Sequence, residues 1–472
     1  MFIAPKLDEQ SKTPFYLQLY EFFKQEIRLG NLSPNTRMPS LRKLAEQLNV
    51  STTPVELAFQ QLVAEGFIKS RPKSGYYVQA LHPIYHKYAA SAQQPSTHRI
   101  TARDPHCYRY DFHISKNDFS TFPHRVWRGL LHDAIDHTDG LQYGNPQGEP
   151  ALRQSIVTYL RRYRGLRCTP DQVIVGADQY ILTSLLSLLL KHSGSGNRLG
   201  IEDPCYHLVP ATFKNHGYEI VPIPLQENGI QIEPLYNSNI NIVYTAPSHQ
   251  FPTGLMTSIT KRIQLLEWAN DSQGFIIEDD YGGEFRYHGR SIPSIQGLIE
   301  NSPVIYLGSF SQAIAPTFCI HYMILPNRLL PAYHQLKWEL YLEHSASRIN
   351  QLALHQFMEK GHFEKHLRRM RQLYKRKHDI LIRSIQEHFQ GRAVVTGTDA
   401  GFHILLNVHD QRSEEELVEL AKAADIRVTP MSFTWWIPYR RNELHFIIGF
   451  GGIPVELIDE GIQRLKEVWF PE

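Results

Sequence analysis

Residues 306–316 read Tyr-Leu-Gly-Ser-Phe-Ser-Gln-Ala-Ile-Ala-Pro. The apolar, β-branched run at 304–307 predicts a buried strand that leads into this segment. Ser309, Ser311 and Gln312 follow the strand and are candidate pocket residues. Gln312 carries a carboxamide, whose nitrogen is delocalised into its carbonyl and is not a nucleophile near neutral pH. Position 312 therefore supplies no nucleophilic amine to a pocket built on this segment.

Short β-branched runs alternate with helical segments over residues 110–472. The runs that we predict to be strands are 172–175, 198–201, 219–222, 241–244, 274–277 and 304–307. Strands separated by helices are typical of a mostly parallel α/β sheet. Ligands of such sheets bind at the carboxyl ends of the strands. We therefore expect the functional residues of this region to follow the strands.

The first 80 residues have a different pattern, which predicts a small helical domain. One helical face carries the apolar residues Leu17, Tyr20, Phe23 and Ile27. A second helix is expected to begin near Ser40, and a tight turn at 49–51 leads to a third helix at 52–65, with Ser51 as its N-cap. Residues 66–78 predict a two-stranded hairpin. Two helices joined by a short turn and followed by a hairpin indicate a winged helix-turn-helix, which is a DNA-binding fold.

The segments of this domain that resemble the GntR family of bacterial regulators are 39–45, 50–55, 65–66 and 73–75. The resemblance implies DNA contacts for six residues: Arg42 at a phosphate, Ser51, Thr52 and Thr53 at the groove end of the recognition helix, and Arg71 and Lys73 in the wing. Family members often have arginine at position 52 and usually glycine at position 73. Threonine at position 52 removes a strong donor for base readout.

Several segments of the larger region carry a second resemblance. In chain order they are 142–153, 202–206, 245–254, 278–287, 306–316 and the basic helix 366–374. With the N-terminal pattern they resemble the MocR subfamily, which fuses a GntR-type domain to a fold-type-I aminotransferase-like domain. The resemblance implies a winged helix-turn-helix at 1–80, a linker at 81–110 and an aminotransferase-like domain at 111–472, with a smaller C-terminal α+β subdomain at roughly 345–472.

The resemblance also implies an ancestral pocket for pyridoxal phosphate. Asp279 would pair with the pyridine nitrogen, Tyr281 would bind the phenolic oxygen and Tyr206 would stack on the ring. A carboxylate at a pyridinium nitrogen makes the ring an electron sink, and an aromatic face holds it flat. The other residues implied to line this pocket are Tyr143, His249 and the rest of the 249–254 loop.

Four departures from the family pattern concentrate at this pocket. Gln312 stands where the family has its Schiff-base lysine, and Cys319 stands where an arginine clamps the phosphate, a contact worth about 1.5–3 kcal/mol. Asp178 lies in a turn where the family cradles the phosphate at a helix N-terminus, and its carboxylate would repel that anion. Ile447 stands where many relatives bind a substrate carboxylate with arginine. The departures together indicate a site that is not suited to pyridoxal phosphate.

Composition excludes several other classes of protein. The chain has 472 residues, 42% hydrophobic and 20% charged, which is ordinary for a globular protein. Residues 1–80 hold ten lysine and arginine residues against seven aspartate and glutamate residues, a mild excess compatible with nucleic acid. The scattered cysteines, which favour reduced thiols over a zinc site or disulfides, are Cys107, Cys168, Cys205 and Cys319. No signal peptide is recognisable, and the longest apolar run, 180–190, is too short to span a bilayer, so we expect a cytoplasmic protein.

These patterns favour a regulator of transcription that binds double-stranded DNA and carries a pseudo-aminotransferase domain. That domain would sense an unknown small molecule other than covalent pyridoxal phosphate, or serve dimerisation, and a head-to-tail homodimer is expected from the family. One alternative is a regulator that binds pyridoxal phosphate non-covalently, which the retained Asp279, Tyr281 and Tyr206 support. An active aminotransferase is disfavoured by Gln312, because the lysine both anchors the cofactor and shuttles the proton.

Overall fold

The structure is a computed structural model that describes residues 7–8, 11–81, 107–136, 138–287, 289, 291–342, 346–438 and 444–471. These residues fall into two compact units, one within Met1–Pro105 and the other within His106–Glu472. Most of the expected linker, 81–110, lies outside the described residues. None of the described helices has both the length and the apolar character needed to cross a membrane.

The smaller unit is a winged helix-turn-helix, as the sequence predicts. Its elements are α1 Phe15–Arg28, α2 Leu41–Leu48, α3 Thr52–Ala64, β1 Ile68–Arg71 and β2 Gly75–Val78. The turn between α2 and α3 is short because Asn49 ends α2 in the left-handed conformation, with φ 54°, which asparagine tolerates better than most residues. The core stacks Phe59 edge-to-face on Phe23 and on Tyr76 of the wing, so the hairpin is packed against the helices.

The two helix starts in this unit differ in how they are capped. Ser40 caps α2, because its hydroxyl accepts a hydrogen bond from the backbone N–H of Lys43 at 3.3 Å. Ser51 occupies the expected N-cap position of α3, but its side chain makes no capping hydrogen bond. The predicted N-cap position of Ser51 is therefore confirmed, and its exposed side chain is not engaged at the helix start.

The larger unit is built on an eight-stranded sheet of order β4-β11-β10-β9-β8-β5-β6-β7. Its strands are β4 Val173–Gly176, β5 Arg198–Asp203, β6 Glu219–Gln226, β7 Gly229–Ile230, β8 Ile242–Thr245, β9 Phe275–Asp280, β10 Val304–Ser309 and β11 His321–Ile324. Strands β6, β5, β8, β9 and β10 are parallel. The predicted strands and the mostly parallel α/β fold are thus confirmed.

Strand β11 was not predicted, and it inserts antiparallel between β10 and β4. Its register places His321 opposite Ser309 of β10 and Gly176 of β4. The short apolar run of β11 follows β10 with only a 3-10 turn at Pro316–Phe318 and no α-helix between them, so the alternation that identified the parallel strands does not extend to it. Its insertion brings His321 to the sheet edge at which the other functional residues lie.

Helices cover this sheet, and a second sheet follows it in the chain. The helices before the second sheet are α4 His124–Asp136, α5 Pro150–Arg164, α6 Gln179–His192, α7 Leu208–Asn215, α8 Glu233–Asn237, α9 Ile259–Asp271, α10 Leu330–Glu339, α11 Arg348–Glu359 and α12 His362–Phe389. The C-terminal elements are β12 Ala393–Thr396, β13 His403–Val408, α13 Glu414–Ala423, β14 Ile426–Arg427, β15 Thr429–Pro430, β16 Leu444–Gly449 and α14 Ile458–Trp469. Strands β12, β13, β16 and β15 form an antiparallel sheet, and β14 pairs with β3 Tyr110–Asp111.

A buried ion pair ties α5 to the end of β9. Arg164 Nε donates to Asp280 Oδ2 at 2.5 Å, and both side chains are almost fully buried. Arg164 Nη2 also donates to the hydroxyl of Ser248 at 2.8 Å, and the Tyr306 hydroxyl donates to Asp280. Removing one partner of such a pair leaves an uncompensated charge in a low-dielectric interior.

We expect Arg164→Met to lower the free energy of unfolding of the larger unit by about 3–5 kcal/mol, because Asp280 would keep its burial and lose its cation. Urea denaturation followed by circular dichroism measures this loss. The matched control is Arg161→Met on the exposed side of the same helix, which should stay within about 0.5 kcal/mol of wild type. Equal stability of the two variants would contradict the importance of the buried pair.

Candidate ligand cavity and DNA-binding surface

A cavity of about 280 Å³ lies at the carboxyl ends of β5, β8, β9 and β10. Its lining combines strand-end residues with side chains from the C-terminal sheet. The lining residues are Ile114, Ser115, Gln179, Glu202, Cys205, Tyr206, Tyr244, Ala246, Phe251, Asp279, Tyr281, Ser309, Ser311, Gln312, His321, Phe402 and His403. Seven of the sequence-predicted pocket residues are therefore brought together here: Tyr206, Phe251 of the 249–254 loop, Asp279, Tyr281, Ser309, Ser311 and Gln312.

Asp279 is the most buried of the predicted pocket residues that line the cavity. Its Oδ2 accepts hydrogen bonds from Gln179 Nε2 at 2.8 Å and from the Tyr244 hydroxyl at 2.7 Å. No described residue donates a hydrogen bond to its Oδ1. Burial raises the pKa of Asp279 to about 6, while the two donors lower it. The two hydrogen bonds to Oδ2 thus offset part of the cost of burying this carboxylate, and Oδ1 is left as a hydrogen-bond acceptor toward the cavity.

Two other lining side chains carry polar atoms that lack partners. The Tyr281 hydroxyl and Gln312 Oε1 are buried, and neither finds a hydrogen-bond partner among the described residues. A buried polar atom without a partner costs about 1–3 kcal/mol. Such atoms mark places where a bound donor would improve the stability of the site.

The two serines of the 306–316 segment are engaged by a histidine. His321 Nε2 lies 2.9 Å from Ser311 Oγ and 3.4 Å from Ser309 Oγ. Burial lowers the pKa of His321 to about 4, so its imidazole is neutral at physiological pH. The serine hydroxyls are therefore already bonded to an uncharged protein group.

The cavity is acidic in character. Its described lining contains Glu202 and Asp279 but no lysine and no arginine. The lining histidines His321 and His403 both have their pKa lowered to about 4 by burial, which leaves them uncharged. Burial raises the pKa of Glu202 to about 7. The lining thus supplies no cation with which to hold an anionic group.

Two residues predicted to line the cavity lie outside it. Tyr143 is 71% exposed, and its segment is held away by Arg348, whose Nη1 donates to the Gln142 carbonyl at 3.4 Å. His249 is buried behind the lining, with its ring centroid 5.6 Å from Tyr281 and 5.5 Å from His403. Their sequence positions follow the expected segments, but tertiary packing turns both side chains away from the cavity.

The two residues expected to disturb a phosphate also lie outside the lining. Asp178 caps α6, and its Oδ1 accepts from the backbone N–H of Ile181 at 2.7 Å. Cys319 is exposed in the left-handed conformation, with φ 54°, and its thiol lies 3.7 Å from the Pro316 carbonyl. Cys319 therefore contacts only local backbone, whereas Asp178 caps α6 and its charge also reaches the lining residue His321, whose pKa it raises against the larger effect of burial. Ile447 is fully buried in an apolar cluster with Phe251, Leu405 and Met431.

Several lining residues were given no individual role in the sequence analysis, and four of them shape the polar part of the cavity. Gln179 and Tyr244 hold Asp279, Glu202 is the penultimate residue of β5, and His321 binds the serines. Glu202, Tyr244 and His321 lie at strand ends, which is a signal that sequence alone contained. Gln179 sits beside Asp178 at the start of α6, and only the fold brings it to Asp279.

The six residues expected to contact DNA are all exposed. Ser51, Thr52 and Thr53 lie at the start of α3, and Arg42 is in the first turn of α2. Arg71 donates to Asn35 Oδ1 at 3.2 Å and lies over the Tyr77 ring at 4.3 Å. Lys73 has φ 61° in the hairpin turn, a conformation that favours glycine.

We expect Tyr244→Phe to lower the free energy of unfolding by about 1–3 kcal/mol, because it removes one of the two donors to the buried Asp279. Urea denaturation measures the change. The matched control is Tyr236→Phe, which deletes a hydroxyl 3.1 Å from Asp271 at the exposed surface and should cost less than about 0.5 kcal/mol. Equal losses in the two variants would show that the buried hydrogen bond between Tyr244 and Asp279 contributes no more to stability than the exposed one between Tyr236 and Asp271.

Comparison with known proteins identifies the family. Residues 15–78 match the gntR family of bacterial regulatory proteins, and residues 111–445 match aminotransferase class I and II. The HTH-type transcriptional regulator YhdI of Bacillus subtilis (strain 168) is 39% identical over 100% of this chain and 99% of its own length.

Two further likenesses support both the domain order and the fold. The probable rhizopine catabolism regulatory protein MocR of Rhizobium meliloti is 29% identical, over 98% of this chain and 95% of its own. The crystal structure of a kynurenine aminotransferase from Pyrococcus horikoshii superposes with a TM-score of 0.68 at 24% identity, covering 77% of this chain and 91% of its own. The chain therefore belongs to the MocR subfamily of GntR-type transcriptional regulators, which carry an aminotransferase class I and II domain.

Proposed function

We propose that the protein is a transcriptional regulator whose smaller unit binds double-stranded DNA and whose larger unit is an effector domain without aminotransferase activity. The observation that carries the second part is Gln312 in the cavity lining. A carboxamide cannot form an imine with an aldehyde. The cavity thus serves reversible ligand binding or dimerisation.

Among the residues that the structure describes, no lysine lines this cavity in place of the residue at position 312. Lys377 is fully buried, but its Nζ lies 2.6 Å from Asp118 Oδ2 and 2.8 Å from the Gly451 carbonyl. It does not line the cavity. This supports the proposal that Gln312 replaces the cofactor lysine of the aminotransferase-like family.

The DNA-binding part of the proposal is supported by exposed polar and basic side chains on a winged-helix frame. The start of α3 presents Ser51, Thr52 and Thr53, which fits a recognition helix whose N-terminal residues reach base edges. Arg42 is exposed, and no described residue bonds to its side chain. With Arg71 and Lys73 in the wing it supplies the positive charge that phosphates require.

A second candidate keeps pyridoxal phosphate as a non-covalent ligand. The unbonded Oδ1 of Asp279 and the unpartnered Tyr281 hydroxyl favour it. The phosphate group of this ligand argues against it, because the described lining contains no cation to bind a phosphate and Asp178 already caps the N-terminus of α6. The residues present therefore fit the ring of this cofactor and do not fit its phosphate.

A homodimer is part of the proposal, and the exposed aromatic residues of the larger unit support it. Trp338 and Tyr341 are 80% and 83% exposed in the single chain. Large apolar side chains left in water are typical of protein interaction sites. We propose the head-to-tail arrangement of the family for this dimer.

We expect no reducible adduct in the cavity when the wild-type protein is incubated with pyridoxal phosphate and borohydride, because position 312 has no amine. Intact-mass measurement and peptide mapping locate any adduct and separate reactive surface lysines from the cavity. Gln312→Lys is the matched positive control and should give an adduct on the 306–316 peptide. An adduct on a cavity residue of the wild-type protein would contradict the proposal.

We expect Arg42→Ala to weaken DNA binding similarly on all sequences and to reduce the slope of log affinity against log salt by about 1, since one phosphate contact is lost. Fluorescence anisotropy with the region upstream of the protein's own gene measures both. Arg161→Ala, an equal charge change on the surface of the larger unit, should leave the slope unchanged.

Lys73→Gly is a second test of DNA binding through the smaller unit. Glycine fits the φ of 61°, so stability should stay within about 1 kcal/mol of wild type while the salt slope falls by about 1. Unchanged salt slopes in both variants would contradict DNA binding through this surface.

A further inference from the structure

The cavity contains more hydrogen-bond acceptors than donors can satisfy. Asp279 Oδ1 receives no hydrogen bond from a described residue, since both protein donors reach Oδ2. Gln312 Oε1 is buried without a partner. Glu202 places a second carboxyl group in the lining, although its two oxygens already accept hydrogen bonds from the Thr245 hydroxyl and the backbone N–H of Ala246. A ligand that donates hydrogen bonds and carries positive charge would complement this set of groups.

The same cavity is closed to a phosphate by the protein's own groups. The N-terminus of α6, where backbone N–H groups would attract an anion, is capped by Asp178 at 2.7 Å from the Ile181 nitrogen. The hydroxyls of Ser309 and Ser311 lie within 3.4 Å and 2.9 Å of His321 Nε2. An anion entering here would have to displace these contacts and would find no cation in the described lining.

The walls add an aromatic surface that favours a flat or cationic ligand. Phe251 contacts Tyr206 with ring centroids 5.9 Å apart, and Tyr281 at 6.1 Å, both edge-to-face. These rings and Phe402 line the same cavity as the carboxylate of Asp279. Aromatic faces attract a nearby cation, and the attraction is stronger where water is excluded.

We infer that the cavity binds a small aromatic or N-heteroaromatic base without a phosphate group, whose N–H donates to Asp279 Oδ1. Tyr206 and Phe251 would pack on its ring, and Gln312 Oε1 would accept a second hydrogen bond. The cavity of about 280 Å³ limits the ligand to a single ring with short substituents. That this base is the effector of a DNA-binding regulator rests on the function proposed above.

The experiment compares two pairs of probes on the full-length protein by isothermal titration calorimetry. Pyridoxamine and pyridoxamine 5′-phosphate share a ring and an amine and differ in the phosphate. Benzylamine and benzyl alcohol share a ring and differ in the charge. We expect pyridoxamine to bind at least about tenfold more tightly than its phosphate ester, and benzylamine about tenfold more tightly than benzyl alcohol.

Variants assign this preference to the cavity. Asp279→Asn keeps the size of the side chain and should lose about tenfold in affinity for both amines while leaving benzyl alcohol unchanged, which also reports that the cavity is intact. Gln312→Leu removes the second acceptor together with the amide N–H donors of the same side chain, and it should weaken pyridoxamine binding as well. Asp271→Asn, on the exposed end of α9, is the matched carboxylate control and should bind all four probes like wild type.

Several outcomes overturn the inference. They are tighter binding of the phosphate ester, equal binding of benzylamine and benzyl alcohol, an absence of binding by every amine, and amine binding that survives in Asp279→Asn. DNA binding is measured by anisotropy on the same preparation. Amine binding without DNA binding would overturn the proposed function and leave the ligand assignment standing, whereas DNA binding without amine binding would do the reverse.

Discussion

Three consecutive carboxylates at the end of β9 are the constraint on which the cavity depends. Glu278, Asp279 and Asp280 are all buried, and a buried carboxylate that lacks partners costs several kcal/mol. Each therefore draws donors from a different part of the chain. Glu278 accepts from the Ser294 hydroxyl and the amides of 295–296, while Asp280 pairs with Arg164. Because side chains alternate along a strand, Asp279 points to the opposite face from both neighbours.

This arrangement fixes the position of Asp279 and also sets the charge of the cavity. Gln179 and Tyr244 hold one oxygen of the carboxylate and leave the other without a described donor. The other polar residues of the lining include a second acid, Glu202, and two histidines that burial keeps neutral. An aminotransferase fold binds a phosphorylated cofactor through cationic and backbone donors. This protein retains the sheet and the strand-end carboxylate. The rest of its cavity lining favours a ligand that donates hydrogen bonds over a ligand that carries an anionic group.

Much of the architecture could be predicted because local pattern and global fold agree. The runs predicted as strands at 241–244 and 304–307 became the parallel strands β8 and β10, and the apolar face with Phe23 became the core of the smaller unit. Strand β11 escaped prediction because it is short, antiparallel and follows β10 without an α-helix between them. For the same reason His321 was missed, although it lies at a strand end like the residues that were found.

The sequence by itself determined the order of domains, the strand ends that carry the cavity and the absence of an amine at Gln312, since these depend on residue identity and local periodicity. Only the tertiary structure decided which side chains face the cavity. It turned Tyr143 and Cys319 to the surface, and it brought His321 to Ser309 through the register of β11. Register and side-chain direction arise from packing between segments far apart in the chain, and no local pattern encodes them.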